Sequence, residues 1–212
     1  MHGKGKSEMN RKHGLLAVCV FFSVVFLTGC PRKVPEPVIE KKIVRNPLQQ
    51  ILDALSNAES LEAKMSIRIE AVRNGKKESF GLSGDLLYRK PTSLRLQGYL
   101  PWGTGLFDSL YRNGEFFLLI PFEKKAYTGE LSEMEGLMDR AGSIQIAVEK
   151  NEANGIPRRI QIELVEKQAR IDMKLRDVVI NPELPEDSFD WVVPDGVEVR
   201  PLTRLLRGKT DR

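Results

Sequence analysis

The chain of 212 residues predicts a mainly β fold with α elements (α+β), a curled antiparallel sheet with helices as its cover. Three observations predict it. Apolar and polar residues alternate with a period of two through about ten short segments, the pattern of half-buried strands. Asn-Gly pairs at 74–75 and 113–114 fall between such segments and mark tight hairpins. No helical stretch of crossover length separates the strands, so their pairing is antiparallel. So many strands in one open sheet curl strongly, and an apolar concave face then needs a cover.

The first 29 residues stand apart from that domain. Lys4, Lys6, Arg11 and Lys12 precede an apolar run from Leu15 to Leu27, shorter than the ~20 residues of a bilayer span. A basic segment followed by a short apolar run describes a secretory signal, which is not part of the fold. The run ends in LTGC, Leu27 to Cys30. This resembles the bacterial lipobox and implies that Cys30 becomes acylated, with palmitate-like chains, as the first residue of the mature protein. Two or more acyl chains hold a protein stably on a membrane. Pro31 rather than Asp follows, which by resemblance to enterobacterial lipoproteins implies the outer membrane. Residues 30–46 are then the lipidated Cys and a Pro-rich charged linker, extended and semi-rigid.

The domain is expected over 47–200, with 201–212 a basic tail. Asn46-Pro47 opens a helix, Asn as cap and Pro at the first position. Leu48, Ile51, Leu52 and Leu55 form its apolar stripe, read as covering the sheet. Met65, Ile67, Ile69 and Ala71 alternate with Lys64, Ser66, Arg68 and Glu70 before the first hairpin. Phe80, Leu82, Gly84 and Leu86 return from it. Leu94, Leu96 and Gly98 form a third strand, Leu106–Arg112 a fourth and Phe116–Ile120 a fifth. A short polar helix or loop is expected from Glu130 to Arg140. Ile144, Ile146 and Val148, then Ile160, Ile162 and Leu164, then Ile171, Met173 and Leu175 form further strands, and the last surrounds Val197 and Val199. No internal repeat is evident.

Charge and composition remove several functions. The net charge is +4, but the signal carries four basic residues and one acidic one, leaving the mature chain at +1. Residues 31–46 hold five basic and two acidic residues and residues 200–212 five and one, so the part between is at −6. Such a core does not suit nucleic acid. Basic arms beside a lipid anchor suit an anionic membrane surface, or serve as solvated tails. Both histidines, His2 and His13, lie in the signal, and the cysteines are Cys19 and Cys30. The domain therefore lacks Ser-His-Asp and Cys-His nucleophilic sites, His/Cys zinc sites and disulfides. Carboxylate-pair hydrolysis and Ser-Lys chemistry stay open, with Asp85 and Asp108 as candidates better read as strand-edge charges facing water. Gly208-Lys209-Thr210 is not a P-loop, because Thr203 occupies the upstream glycine position. No enzyme, cofactor or metal is expected.

The stretch YLPWGTGLF, Tyr99 to Phe107, puts Leu100, Pro101, Trp102 and Gly103 at a turn that would ordinarily be polar. Trp102 either folds back into a core or meets something apolar outside the protein. The central strands are apolar on both faces. Either both faces are buried, or part of one lines a cavity for acyl chains. Candidate lining residues are Met65, Ile67, Ile69, Phe80, Leu82, Leu94, Leu96, Leu106, Leu110, Phe116 and Leu118.

A lipobox, a Pro-rich spacer, one helix and an antiparallel meander together resemble the LolA/LolB lipoprotein-carrier superfamily, nearest to its outer-membrane acceptor branch. The densest part of the resemblance is SGDLLYRKPTSLRLQGYLPWGTGLFDSLYRNGEFFLLIP, and FDWVVPDGVEV is similar to how those chains close. The resemblance implies an incomplete β-barrel with a helical lid and an apolar interior that receives acyl chains of lipoproteins or other lipids. It implies a periplasm-facing monomer that takes cargo from a LolA-like carrier and delivers it to the outer membrane. Pro101-Trp102-Gly103 stands where that branch carries a protruding Pro-Leu-Gly loop, so Trp102 is expected to insert into the membrane or touch cargo. Relatives of this fold also include envelope sensors, and a sensor or structural lipoprotein that binds a protein partner is the rival expectation.

Overall fold

The computed structural model describes residues 42–44, 46–133 and 142–205. The chain divides into two units, Met1–Val38 and Ile39–Arg212. The signal, Cys30, most of the linker, the predicted helix beyond residue 133 and the tail from 206 lie outside the described residues.

Among the described residues the second unit is one open, curled sheet of eleven strands. In chain order these are β1 (Lys42–Val44), β2 (Ser60–Arg73), β3 (Lys76–Arg89), β4 (Ser93–Tyr99), β5 (Gly105–Arg112), β6 (Glu115–Ile120), β7 (Lys125–Glu130), β8 (Ile144–Lys150), β9 (Pro157–Leu164), β10 (Ala169–Ile180) and β11 (Glu198–Pro201). The spatial order is β1-β8-β9-β10-β2-β3-β4-β5-β6-β7-β11. Strands β2 to β7 form a meander. After β7 the chain crosses to the far side of β2, where β8, β9 and β10 continue the sheet. Both Asn-Gly pairs make the expected two-residue turns, with positive φ at Asn74, Gly75, Asn113 and Gly114, the geometry that matches strand twist.

Four features differ from the sequence expectation. Lys42–Val44, read as linker, pairs with β8 as an edge strand. Lys125–Glu130 is a strand that its short, mixed composition hid. The last strand, β11, is parallel to β7 rather than antiparallel. The fold also continues past residue 200, because Leu202 is fully buried against Tyr127.

The helix α1 (Pro47–Leu55) begins as expected: the Asn46 side chain accepts a hydrogen bond from the Gln49 amide at 2.9 Å, and residues 131–133 are helical where the second, short helix is expected. The α1 stripe of Leu48, Ile51, Leu52 and Leu55 is buried in one cluster with Leu61, Ala63, Met65 and Ile67 of β2, Leu82, Leu86 and Tyr88 of β3, Leu94 of β4 and Met173 and Leu175 of β10. These sheet residues share a face by register, here called inner. Each large side chain buried there contributes about 1.5–3 kcal/mol.

Over β3 to β6 the outer face is covered by the segment that follows β10, which includes the 3-10 turn Glu186–Phe189. Three arginines hold it through its carbonyl oxygens. Arg89 donates to Leu184 O at 2.9 Å, Arg95 to Ser188 O at 2.9 Å and Arg112 to Phe189 O at 2.9 Å. The Arg89 guanidinium also stands 4.9 Å above the Phe189 ring, and Trp191 stacks on Phe117 with centroids 5.2 Å apart.

Candidate functional site: the open half of the inner face

The inner face has two unequal halves. Under α1, the side chains of β2, β3, β9 and β10 are close-packed. Toward β7 the packing loosens. Leu96, Leu100, Leu106, Phe107 and Phe116 touch the main cluster but are only partly buried, and Leu118 and Ile120 lean on Tyr127 and Leu202. Register puts Leu96, Phe107, Phe116, Leu118 and Ile120 on one surface across β4, β5 and β6. Ser109, donating to Leu96 O at 3.2 Å, is the polar residue among them. The result is an apolar strip continuous with the core.

The candidate lining residues divide accordingly. Met65, Ile67, Leu82 and Leu94 are buried in the close-packed half. Ile69, Leu96, Leu106, Phe116 and Leu118 are partly buried on the same face. Phe80 pairs with Ile69, hence on the inner face, but stands 43% exposed near the tip of the β2–β3 hairpin. Leu110 is a correction. It pairs with Arg95 and Phe117 on the outer face and is fully buried there, among the residues that hold the C-terminal segment.

Leu106 reaches the inner cluster through a register shift. Gly98 pairs with Phe107 and Tyr99 with Gly105, leaving Leu106 as the extra residue of a bulge. A bulge carries two residues opposite one, so Leu106 and Phe107 both pack on the main cluster. Strict alternation puts Phe107 on the other face from Leu106, which is why the sequence did not single it out. The Phe107 ring lies over Gly98, where a Cβ would collide with it.

The Tyr99–Phe107 stretch resolves into two opposite placements. Leu100 folds onto the main cluster, while Trp102 is 72% exposed. The turn closes on itself, with the Gly103 amide donating to Leu100 O at 2.8 Å and the Leu100 amide to Thr104 O at 2.9 Å. Gly103 takes φ +87°, a left-handed conformation that glycine adopts without strain. Pro101 and Trp102 therefore occupy the outward corner.

The two carboxylates considered for chemistry are both paired with cations on the outer face. Asp85 meets Lys64 at 2.8 Å. Asp108 accepts Arg95 in bidentate fashion, at 3.0 and 2.7 Å, together with Gln97 at 3.2 Å. Burial, seconded by the charge of Asp85, pushes the Tyr99 phenol above its ordinary pKa. Farther along, Asp172 accepts two hydrogen bonds from Arg159, at 2.9 and 2.5 Å. Burial works to raise its pKa, but the Arg159 hydrogen bonds and charge outweigh it and hold the carboxyl below its usual range.

No protein-family model and no curated protein matches the chain. Among solved structures it is similar to a conserved protein from Thermus thermophilus, at 11% identity over 72% of this chain and 98% of that one, with a TM-score of 0.44. It is similar to a LolA superfamily protein from Nitrosomonas europaea at 11% identity, over 68% and 97% of the two chains, TM-score 0.44. A DUF1329 family protein from Desulfovibrio piger is 7% identical over 69% and 95%, TM-score 0.41.

Proposed function

We propose that this chain is an envelope lipoprotein, anchored at the outer membrane through acylated Cys30, whose inner sheet face binds acyl chains of lipoproteins or other lipids. It takes them from a periplasmic carrier and passes them to the bilayer, without catalysis or cofactor. The observation that carries the reading is the strip of Leu96, Phe107, Phe116, Leu118 and Ile120, apolar and only partly buried beside a close-packed core. A bound acyl chain would complete that packing, with affinity from apolar burial of about 25 cal/mol per Å². Trp102, exposed on its turn, supplies the contact with the membrane or with cargo, since the tryptophan ring favours the bilayer interface. The lipobox supports the location and the absence of histidine and thiol from the domain supports a non-covalent mechanism.

A transfer assay tests the reading. Residues 31–212 are mixed with a carrier loaded with a triacylated lipoprotein, with liposomes added afterwards. Capture of the lipoprotein followed by delivery is the expected result. No capture removes the carrier function and favours a sensor or structural lipoprotein that binds a protein partner.

A further inference from the structure

Four hairpin turns lie at one end of the sheet. They join β2 to β3 at 74–75, β4 to β5 at 100–104, β6 to β7 at 121–124 and β9 to β10 at 165–168, and the antiparallel register puts all four at the same end of their strands. Each tip exposes a large apolar side chain. Val72 and Phe80 flank the first, Trp102 and Phe122 crown the second and third, and Val165 stands on the fourth.

The β2–β3 hairpin protrudes farthest. The last residue of β4, Tyr99, pairs with Ser83, and the first of β10, Ala169, pairs with Ala71. Residues 72–77 therefore extend beyond both neighbouring strands, and 78–82 beyond β4 alone. This projection carries Arg73, Lys76 and Lys77 against Glu78, with Lys77 also 3.0 Å from Glu70. At the β6–β7 tip Lys125 is paired with Glu123 at 2.8 Å and Lys124 adds an exposed cation, so both tips carry positive charge.

β1 runs toward this end: Lys42 pairs with Ile146 and Val44 with Ile144, and Ile144 faces Leu164 just before the 165–168 turn, so the linker enters β1 from its inboard residue Lys42. Cys30 precedes Lys42 by twelve residues, a reach of at most about 40 Å. A chain anchored at Cys30 can set these tips on the surface that holds it.

We propose that this end of the sheet is a bilayer-docking face for anionic membranes. The apolar tips enter the interface, and Arg73, Lys76 and Lys77 meet lipid phosphates. The inference rests on the proposed lipoprotein reading and extends it from one tryptophan to a rim that orients the whole domain.

The test uses the full chain, reconstituted into vesicles containing brominated phosphatidylcholine, with and without phosphatidylglycerol. The parent is the Trp102→Phe variant. Val72→Trp, Phe122→Trp and, at the opposite end, Val179→Trp are added to it singly. The expected result is bromine quenching about twofold above the parent for Val72→Trp and Phe122→Trp, as for side chains at interfacial depth, and parent-level quenching for Val179→Trp. Removing phosphatidylglycerol, or adding Lys76→Glu with Lys77→Glu, should abolish the excess at Val72→Trp. Parent-level quenching at positions 72 and 122, or equal quenching at 179, would overturn the docking face. Lipoprotein capture measured without vesicles reports the acyl-binding reading separately. Capture with no quenching overturns the docking face alone, and quenching with no capture supports it while removing the cargo.

Discussion

The Phe107 ring lies across Gly98 and fills the space that a Cβ at that glycine would need. The two residues are direct cross-strand partners next to the β4–β5 bulge, and their contact forms one wall of the apolar strip. Gly98→Val should push the ring aside and strain the pair, at a cost of about 1–3 kcal/mol, the usual penalty of overpacking. Urea unfolding followed by circular dichroism would read this as a lower midpoint with an unchanged slope. The same variant should weaken acyl-chain capture, because the displaced ring closes part of the strip. An unchanged midpoint would show that the bulge yields freely.

Trp102 makes the opposite prediction. Its side chain is 72% exposed, and exposed positions without special contacts change stability by about 0.5 kcal/mol or less. Trp102→Glu should melt with the wild-type protein and still capture cargo, yet fail in delivery to liposomes. A fall of several degrees in melting temperature would mean that the ring is part of the core.

What was legible in the sequence follows from what encodes it. The strands β2 to β6, both Asn-Gly hairpins and the α1 cap rest on local patterns: alternation, turn chemistry and an N-cap residue. Three features rest on tertiary pairing and left no local mark. The strand Lys42–Val44 exists because it completes an edge beside β8. Parallel pairing of β11 with β7 depends on the return path of the C-terminal segment. The bulge at Leu106 inverts the parity that alternation predicts, which hid Phe107 and put Leu110 on the outer face, where the arginine-held segment buries it. A repeated device also escaped notice. Arg95, Gln97 and Asp108 on β4–β5 recur as Arg159, Gln161 and Asp172 on β9–β10, with the same separations of 13 and 11 residues between the carboxylate and its two partners. The recurrence is three side chains wide, too sparse to read as a repeat without the hairpins that assemble it.

The second of these triads sets an acid limit. The Asp172 carboxyl is held below its ordinary range by Arg159, against the opposing effect of burial. A carboxylate depressed in the folded state stabilises the protein above its unfolded value of about 3.9, and that contribution is lost as pH falls through the folded value. Stability should therefore drop below about pH 4. Asp172→Asn should flatten that part of the profile and cost on the order of 3 kcal/mol at neutral pH, because the largely buried guanidinium loses its bidentate carboxylate. Urea midpoints of both proteins from neutral to acid pH would decide it. Parallel profiles would assign the acid transition to other carboxylates.

The segment over the outer face can be tested at Trp191. Its ring stacks on Phe117, and Leu110 lies fully buried beside that pair. Yet among the described residues the buried Nε1 of Trp191 has no hydrogen-bond partner, and an unmet buried donor costs about 1–3 kcal/mol. The ring stabilises while its N–H opposes, and two substitutions separate them. Trp191→Phe keeps an aromatic surface against Phe117 and removes the donor, so the loss of ring area and the relief of the N–H should nearly cancel. Trp191→Ala removes both and uncovers Phe117 and Leu110, for a loss of about 3–5 kcal/mol. Thermal and urea unfolding of the three proteins gives the comparison. Equal, large losses in both variants would mean that the indole N–H is satisfied in solution, whereas equal, small losses would mean that Arg89, Arg95 and Arg112 hold the segment without the ring.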